Sequence, residues 1–342
     1  MQYNYVPILK SKPAEIWAWQ NANTNVLVAS RVLFELVPTD TKTSPVINFV
    51  KRLTRNYPSG QIITVDCDIF GQGSSVVTDL SQELYRRKVY ERPVFRLSDT
   101  PAILDQIKHA CVLHGQGACL RLGSDTQDPD PNVPVQDVTN IMNYVGLTIS
   151  QIDLIIDFKV VDSSKDVNRC VPLALNMLKW ATTCGAWRSV TLASGAFPRS
   201  VSSFALGRAT PLNRFDAMFF AHVTQGNPAI IPDFGDYSIN YPIFGPTPPR
   251  APNPNLRYTD GLQWQVEREA RGLTGNASFY TLCQRVVQAR YWAGRGYSAG
   301  DAEIERCSRS IGSPGNATSW LSFGGSHHIT HVVDRLATLG VP

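Results

Sequence analysis

Residues 152–158 read Ile-Asp-Leu-Ile-Ile-Asp-Phe, a short run of apolar side chains interrupted only by two aspartates. A run this short and this apolar is typical of a strand that is covered on both faces, as in a parallel sheet. Val94-Phe95 lies in a second run of the same kind. The fold class follows from how often such runs recur and from what separates them.

Eight apolar runs recur along the first 232 residues. They are Tyr5–Leu9, Val32–Val37, Ile62–Cys67, Pro93–Leu97, Ala118–Leu122, Ile152–Phe158, Ser189–Ala193 and Ala229–Pro232. The first seven begin 25 to 37 residues apart, the length of a strand with its crossover helix. Eight strands that alternate with helices predict an α/β protein of the (β/α)8, TIM-like barrel type. An open doubly wound sheet is the alternative, because periodicity does not show whether a sheet closes.

Capping signals mark the helices between these strands. Ser44-Pro45 and Thr100-Pro101 each place a hydroxyl before a proline at the first helical position. The aromatic residues of Arg214–Val223 would also suit a strand. Its apolar residues fall three or four apart, however, so we predict a helix there and place the eighth strand after it.

The alternation of strands and helices ends near residue 237. Tyr241–Pro254 contains six prolines and is predicted to be an extended surface loop. Asp260-Gly261 is a typical two-residue hairpin turn. Helices are predicted at Phe279–Trp292, Ala299–Ser308 and His328–Leu339. We therefore expect a barrel core at 1–236 and, at 237–342, a proline-rich loop, a β-hairpin and C-terminal helices that pack on the barrel.

Composition excludes several classes of protein. With 43% hydrophobic and 18% charged residues, the chain is neither disordered nor a coiled coil. A net charge of +4 is too small to indicate nucleic-acid binding by itself. The sequence has no apolar run of the ~18 residues that a membrane span needs, and no signal-peptide pattern, so we expect a cytoplasmic protein. The seven cysteines are an odd number without CxxC spacing, which predicts reduced thiols.

Charged residues occupy the carboxyl ends of the predicted strands, where barrels of this type carry their sites. They are Lys10, Glu35, Asp66, Arg96, Arg121 and Asp157. We predict that the three carboxylates, with Lys10 and Arg121, line one incompletely paired pocket that is open to solvent. The carboxylates and Lys10 would be catalytic, the arginines would bind an anionic, phosphorylated or nucleotide-like ligand, and a divalent cation would be the cofactor. The alternative is an ion-pair network that only neutralises itself.

Two further candidates follow strands seven and eight. In Phe234-Gly-Asp-Tyr237, a tight turn would present Asp236 as a catalytic carboxylate and Tyr237 as a ligand-binding phenol. Alternatively, Asp236 caps a turn and Tyr237 packs on the loop. Ser194 could bind phosphate, as loops after strands seven and eight do in such barrels.

The C-terminal region adds histidines and arginines. His327-His328-x-x-His331 places histidines four residues apart, a spacing that suits zinc, but no HExxH glutamate accompanies them. Ser326 is a suitable N-cap, which would put His327 and His328 in a first helical turn. There they either pack or reach the barrel rim as ligand-binding residues. Arginines between 285 and 309, interleaved with aromatic residues, could grip nucleic acid or form a solvated helix face.

Several short motifs occur in order along almost the whole chain. They are Tyr5-Val-Pro-Ile-Leu-Lys10 with Glu15, Leu33-Phe-Glu35, Thr191-Leu-Ala-Ser-Gly-Ala-Phe-Pro198, Phe234-Gly-Asp-Tyr237, Leu256-Arg-Tyr-Thr259, Ser298-Ala-Gly-Asp301, and Trp320 followed by His327-His-Ile-Thr330. The ordered set resembles the beta protein family, although that family usually has Gly-Glu where this chain has Ala14-Glu15. The resemblance implies a protein of bacteriophages, or of mobile and defence-associated regions of bacterial genomes. It implies no particular reaction.

Two classes of function follow. The first is a barrel enzyme of hydrolase type that acts on an anionic ligand. The second is a non-catalytic module that binds a protein or nucleic-acid partner in the conflict between phage and host. Carboxylates gathered around one point of an open pocket would favour the enzyme, whereas a closed set of ion pairs would favour the binding module.

Overall fold

The computed structural model describes residues 4–39, 43–58, 60–245, 252–273 and 275–342. Its strands are β1 (Tyr5–Lys10), β2 (Leu33–Glu35), β3 (Ile62–Asp66), β4 (Tyr90–Phe95), β5 (Ala118–Leu122), β6 (Ile152–Val160), β7 (Ser189–Gly195), β8 (Ala209–Asn213), β9 (Asp233–Asp236), β10 (Asn255–Asp260) and β11 (Gln263–Arg268). Its helices are α1 (Pro13–Gln20), α2 (Thr24–Val28), α3 (Pro45–Leu53), α4 (Val76–Arg86), α5 (Pro101–His114), α6 (Val135–Val145), α7 (Ser164–Cys184), α8 (Phe215–Gln225), α9 (Ser278–Gln288), α10 (Ala299–Ser308) and α11 (Ala317–Leu339).

Eight parallel strands close into a barrel in the order β1-β2-β3-β4-β5-β6-β7-β9. Closure is made by β9, in which Phe234 pairs with Leu192 of β7 on one side and with Tyr5 of β1 on the other. The predicted (β/α)8, TIM-like barrel is confirmed, and the open doubly wound sheet is excluded. The helix predicted at Arg214–Val223 is confirmed as α8.

The eighth barrel strand lies four residues later than predicted. The apolar run Ala229–Pro232 is irregular, and β9 is Asp233–Asp236 instead. Gly235 explains the difference, because a Cβ there would lie 2.9 Å from the Ala193 Cβ. The close approach of β9 to β7 therefore requires a glycine, and a glycine followed by an aspartate looks like a turn in the sequence.

Alternation along each strand divides its side chains between two layers. Tyr5 and Leu9 of β1 point outward into the main core between strands and helices. Val6 and Ile8 point into the barrel and meet Leu33, Val94, Cys119, Ile155, Ala193 and Tyr237 there. A polar side chain two residues after one of these inward-facing residues must therefore also point into the barrel, at the carboxyl end of its strand.

The C-terminal region forms a second, antiparallel sheet in the order β10-β11-β8. The hairpin is confirmed, but its turn is Gly261-Leu262, one residue later than predicted, because Asp260 already pairs with Gln263. Strand β8, which completes this sheet, was not predicted. The hairpin, α9, α10 and α11 enclose a separate apolar cluster that includes Tyr258 and Trp320. Residues 246–251 of the predicted proline-rich loop lie outside the described residues.

Helix α11 begins eleven residues earlier than the predicted start at His328. Its N-cap is Asn316, whose side chain accepts hydrogen bonds from the main-chain N–H groups of Thr318 and Ser319. Ser326, which was predicted to be the N-cap, lies in mid-helix. The Gly324-Gly325 pair resembles a helix break but serves close packing, since a Cβ on Gly324 would lie 2.5 Å from the carbonyl oxygen of Arg257.

The cysteines and the length of the apolar helices bear on the expectations from composition. All seven cysteines are free thiols, as predicted. Among the described residues, no helix combines the length and the apolar character that a membrane crossing requires.

Candidate functional site

The carboxyl end of the barrel gathers the charged residues that the sequence places at strand ends. Three of them, Lys10, Glu35 and Arg121, point into the barrel. Each lies two residues after an inward-facing apolar residue of its strand, which is Ile8, Leu33 or Cys119 respectively. Asp66, Asp157 and Arg96 join them from β3, β6 and the residue after β4. Their positions follow from strand alternation, and all six lie in one cluster, which we call the barrel mouth.

Arg121 fills the centre of the barrel mouth and is fully buried. Its Nη1 lies 2.6 Å from Asp66 Oδ2, and its Nη2 lies 2.9 Å from Glu35 Oε1 and 2.6 Å from Asp157 Oδ2. Its Nε lies 3.0 Å from the same Asp157 oxygen. One planar guanidinium thus joins three carboxylates from three strands, as its fixed fork of donors allows.

Each of these carboxylates has a second cationic partner. Arg96 holds Asp66 through two parallel bonds, 3.0 Å and 2.7 Å long. Lys10 lies 3.5 Å from Glu35 Oε2, and Lys159 lies 3.3 Å from Glu35 Oε1 and 3.8 Å from Asp157 Oδ2. The predicted incompletely paired, solvent-connected centre is therefore wrong. Glu35, Asp66 and Asp157 are all neutralised by neighbouring cations, and Arg121 occupies the space between them.

Lys159 was missed as a site residue because β6 is irregular before it. The pairing of β6 with β7 shifts register between Asp157 and Val160, and Lys159 adopts the left-handed φ of 54°. Its main-chain N–H donates to Asp157 Oδ1 at 2.9 Å, which stabilises this conformation. The strained backbone turns the lysine back over the barrel mouth. Its sequence position, two residues after Asp157, was the available signal.

The loop that follows β9 covers the barrel mouth. Tyr237 donates to Asp157 Oδ2 at 2.6 Å, and the ammonium groups of Lys10 and Lys159 lie 5.4 Å and 5.5 Å from the centre of its ring. Lys10 also donates to the carbonyl oxygens of Tyr241 and Pro242. Pro242 packs against Gly195, and the predicted phosphate-binding Ser194 is buried beside it. In this conformation the loop blocks access to the predicted phosphate position.

The ion pairs fix the charge of the mouth carboxylates. Burial alone would raise the pKa of Asp66, but Arg96 and Arg121 outweigh it and hold that pKa well below its usual range. Burial is likewise outweighed at Glu35, where Lys159, Lys10 and Arg121 lower the pKa to about 2. Groups this acidic are poor proton acceptors at neutral pH.

Glu15 is a buried carboxyl beside the mouth that the strand-end argument did not include, because it lies in the first turn of α1. Burial raises its pKa to about 7, although Lys10 and Lys12 oppose the shift. Its Oε1 accepts a hydrogen bond from Asn240 at 2.8 Å, whereas no partner meets its Oε2 in the described part of the chain. Glu15 is therefore a carboxyl beside the mouth whose pKa suits proton transfer at neutral pH.

Asp236, His328 and His327 form a second cluster, which lies outside the barrel. Asp236 shares the outward face of Phe234, so it points away from the mouth. Its oxygens accept hydrogen bonds from Tyr5 at 2.6 Å and from His328 Nε2 at 2.8 Å. Burial lowers the pKa of His328, so the ring is neutral and donates from Nε2. The predicted approach of both histidines to the mouth is not what the contacts show, since they bind Asp236 and Asp301 instead.

This second cluster continues as a chain of hydrogen bonds through the C-terminal region. His328 Nδ1 lies 2.8 Å from Thr259 Oγ1, and the carbonyl oxygen of Thr259 lies 2.9 Å from His327 Nε2. His327 Nδ1 lies 3.0 Å from Asp301 Oδ2. The chain links β9, the hairpin, α11 and α10, and every member is buried.

The donor sets do not fit a metal ion. In the described ranges, no group of three or more His, Cys, Asp or Glu side chains is arranged to hold one. The mouth carboxylates direct their oxygens at guanidinium and ammonium groups, which occupy the lone pairs that a cation would need. Both nitrogens of His327 and of His328 are already hydrogen-bonded.

The arginines of the C-terminal region are largely paired with acids. Arg285 binds Glu267 and Glu269, and Arg306 binds Glu303. Arg295 and Arg309 share Glu305. Among the described residues, ion pairs therefore engage four of the five arginines between 285 and 309, all except Arg290, as in the solvated-face alternative.

A scan against family models finds that the Beta protein model matches residues 5–334. The chain belongs to the Beta protein family. No curated protein matches the chain significantly.

Solved structures resemble this chain in their fold only. They include Yersinia pestis DHPS with a pterine-sulfa conjugate, with 10% identity and a TM-score of 0.39 over 70% of this chain and 90% of that one. A D-allulose 3-epimerase from Methylomonas sp. has 12% identity and a TM-score of 0.35 over 69% and 83% of the two chains. The C-terminal domain of a putative chitinase from Desulfitobacterium hafniense has 8% identity and a TM-score of 0.34 over 98% and 99%. At these scores, nothing of their ligands or reactions carries over.

Proposed function

We propose that this protein is a non-catalytic binding protein that acts on a protein partner in the conflict between phage and bacterial host. The observation that carries the proposal is the closed ionic network around Arg121. An enzyme of this fold needs an open space at the carboxyl ends of its strands. Here that space holds a buried guanidinium, which makes the barrel a scaffold.

The charge states of the mouth support the same conclusion. Asp66 and Glu35 have pKa values far below neutral, so they are weak bases. Their oxygens are bound to cations, so they are unavailable as metal ligands. The predicted hydrolase activity with a divalent cation therefore lacks both a base and a metal site among these carboxylates.

A protein partner is favoured over nucleic acid because four of the five arginines between 285 and 309 are paired with glutamates. Nucleic-acid binding depends on unpaired basic side chains that replace condensed counterions. The setting in phage–host conflict comes from the family resemblance and is part of the proposal.

The test is a phage challenge of bacteria that produce the chain. Asp157→Asn and the partly exposed Glu35→Gln keep side-chain shape while removing a charge, and Glu83→Gln on the surface of α4 is the control. Circular dichroism shows which variants fold. We expect each folded variant to change the efficiency of plating by as much as the wild type does. If a folded mouth variant behaved like the empty vector, that result would contradict the proposal and favour the enzyme alternative. A wild-type chain without effect on any phage tested would contradict the proposed setting.

A second candidate function is an enzyme that binds an anionic, phosphorylated or nucleotide-like ligand at the mouth. It requires the loop at residues 237–245 to move away, and Glu15 is the observation that favours it. With a pKa of about 7 and an unpartnered oxygen, Glu15 could act as a general acid or base once the loop opens. If so, the protein should hydrolyse p-nitrophenyl phosphate, and Glu15→Gln should abolish turnover without lowering the unfolding temperature. Absence of turnover by the wild type would exclude this candidate for simple phosphoesters.

A further inference from the structure

A cavity lies at the amino-terminal end of the barrel, opposite the mouth. Its volume is about 540 Å³, within the range of small-molecule sites. It is open to solvent and is bordered by the segments that precede β1, β2, β7 and β9 and by the end of α7. Its charged lining residues are Arg31, Arg188 and Asp233, and its other walls include Thr182, Trp187 and Ile231.

Arginines predominate over acids around this cavity. Arg188 binds Asp153 through two bonds of 2.8 Å and 2.7 Å, and Arg92 lies 3.3 Å from the same carboxylate. Arg31 binds Asp233. Three guanidinium groups face two carboxylates, so this cluster carries one surplus positive charge. Arg31 and Arg188 keep about a quarter of their side chains exposed, at 27% and 25%.

The other walls are apolar. Trp187 is half-buried, with its indole N–H bonded to the carbonyl oxygen of Ala181. Ile230 packs on the main core, and Ile231 is 41% exposed at the edge of the cavity. These isoleucines belong to the apolar run that resembles a strand. In the structure, both isoleucines line the cavity instead of forming a strand. Together with the indole of Trp187, they give the cavity an apolar surface.

We propose that this cavity binds a small aromatic carboxylate, with the carboxylate at Arg31 and Arg188 and the ring against Trp187 and Ile231. A guanidinium fork matches a carboxylate in shape, and one surplus positive charge matches one negative charge. The site is separate from the mouth, so its existence does not depend on the proposed function.

Benzoate is the probe, and isosteric benzamide, which lacks the charge, is the comparison ligand. For a ligand of this size we expect a benzoate Kd of about 1 mM by isothermal titration calorimetry. Benzamide should bind about tenfold more weakly, the loss expected for one charge-assisted pair. In an NMR titration the indole N–H signal of Trp187 should shift with benzoate.

Two variants test the placement. Arg31→Gln removes the surplus charge and should weaken benzoate binding about tenfold, and its control is Arg309→Gln, which also leaves a surface acid. Thr182→Trp should block the cavity without changing any charge. Thr338→Trp is its control, because both threonines are exposed, lie near a helix C-terminus and donate to a main-chain carbonyl.

The proposal would be overturned if benzoate binding did not saturate, or if benzamide bound as tightly as benzoate. It would also be overturned if folded Arg31→Gln and Thr182→Trp bound benzoate with wild-type affinity. Binding of phenyl phosphate in the absence of benzoate binding would overturn the assignment to carboxylates.

Discussion

Aspartates at the ends of the barrel strands each do two things. Asp66, Asp157 and Asp236 all accept a hydrogen bond from the main-chain N–H two residues later, at 3.0, 2.9 and 2.8 Å. This bond is that of an Asx turn, which ends β3 and β9 and accompanies the register shift in β6. The remaining lone pairs bind a cation or a histidine. A single residue type thus both shapes the backbone and anchors the charge network.

Removing the central cation should be costly. In Arg121→Met, the buried Asp66 and Asp157 and the partly exposed Glu35 lose a shared partner, so we expect the free energy of unfolding to fall by about 3–5 kcal/mol. Urea denaturation at neutral pH measures the change. Arg309→Met, on an exposed ion pair, should change stability by less than about 0.5 kcal/mol. Equal effects of the two substitutions would mean that Arg121 does not neutralise the mouth.

Glu15 should give stability a pH dependence of known sign. Its pKa is raised from 4.5 to about 7, so the folded chain holds a proton that the unfolded chain releases. Its contribution is fully present below pH 4.5 and declines as the pH rises towards 7. Glu15→Gln should remove that decline. Urea midpoints at several pH values test this, with Glu83→Gln as the control, and an unchanged slope in Glu15→Gln would contradict the assignment.

At the scale of single elements, glycines allow contacts that a larger residue would prevent. Gly300 at the start of α10 approaches α11 so closely that a Cβ would lie 2.0 Å from the carbonyl oxygen of Phe323. Gly324 and Gly235 make comparable approaches to the hairpin and to β7. Packing of the C-terminal helices therefore depends on backbone contact as well as on apolar side chains.

Gly300→Ala should separate α10 from α11. The added methyl group meets main-chain atoms that cannot rotate away, and overpacking of this kind costs about 1–3 kcal/mol. Gly296→Ala, where nothing lies within 4 Å of the new Cβ, is the control and should be nearly neutral. Thermal unfolding followed by circular dichroism compares the two, and equal unfolding temperatures would exclude the close contact.

The same glycines explain which elements the sequence could predict. Seven barrel strands were found because their apolar runs recur at regular spacing. The strand β9 and the first half of α11 were missed because Gly235 and Gly324-Gly325 look like chain breaks. At the mouth, strand alternation placed the charged residues correctly. Whether Arg121 would reach three carboxylates depends on distances across a closed barrel, which no local pattern contains.

For the whole molecule, barrel and C-terminal region are joined by buried polar contacts. Helix α11 packs against α1 of the barrel and against β10 of the hairpin. The hydrogen-bond chain from Asp236 to Asp301 crosses the same boundary. Separating the two parts would leave these buried polar groups unpaired.

We therefore expect one cooperative unfolding transition. Tryptophan fluorescence and far-ultraviolet circular dichroism should give coincident urea curves. His328→Leu removes one hydrogen bond from the buried Asp236 carboxylate and one from the buried Thr259 hydroxyl, and should lower stability by about 1–3 kcal/mol, shifting both curves together. Two separated transitions, or a shift in one signal alone, would show that the parts unfold independently.

The pairing of β9 with β1 also sets a time scale for biosynthesis. Tyr5 pairs with Phe234, so the first strand waits for almost the whole barrel to be translated before its outer edge is covered. At about 5–20 residues per second, this wait lasts roughly 11–46 s. An uncovered strand edge can recruit other nascent chains into intermolecular pairing. The yield of native protein from a ribosome should therefore depend on chaperones that shield the amino-terminal strand until the ninth has emerged.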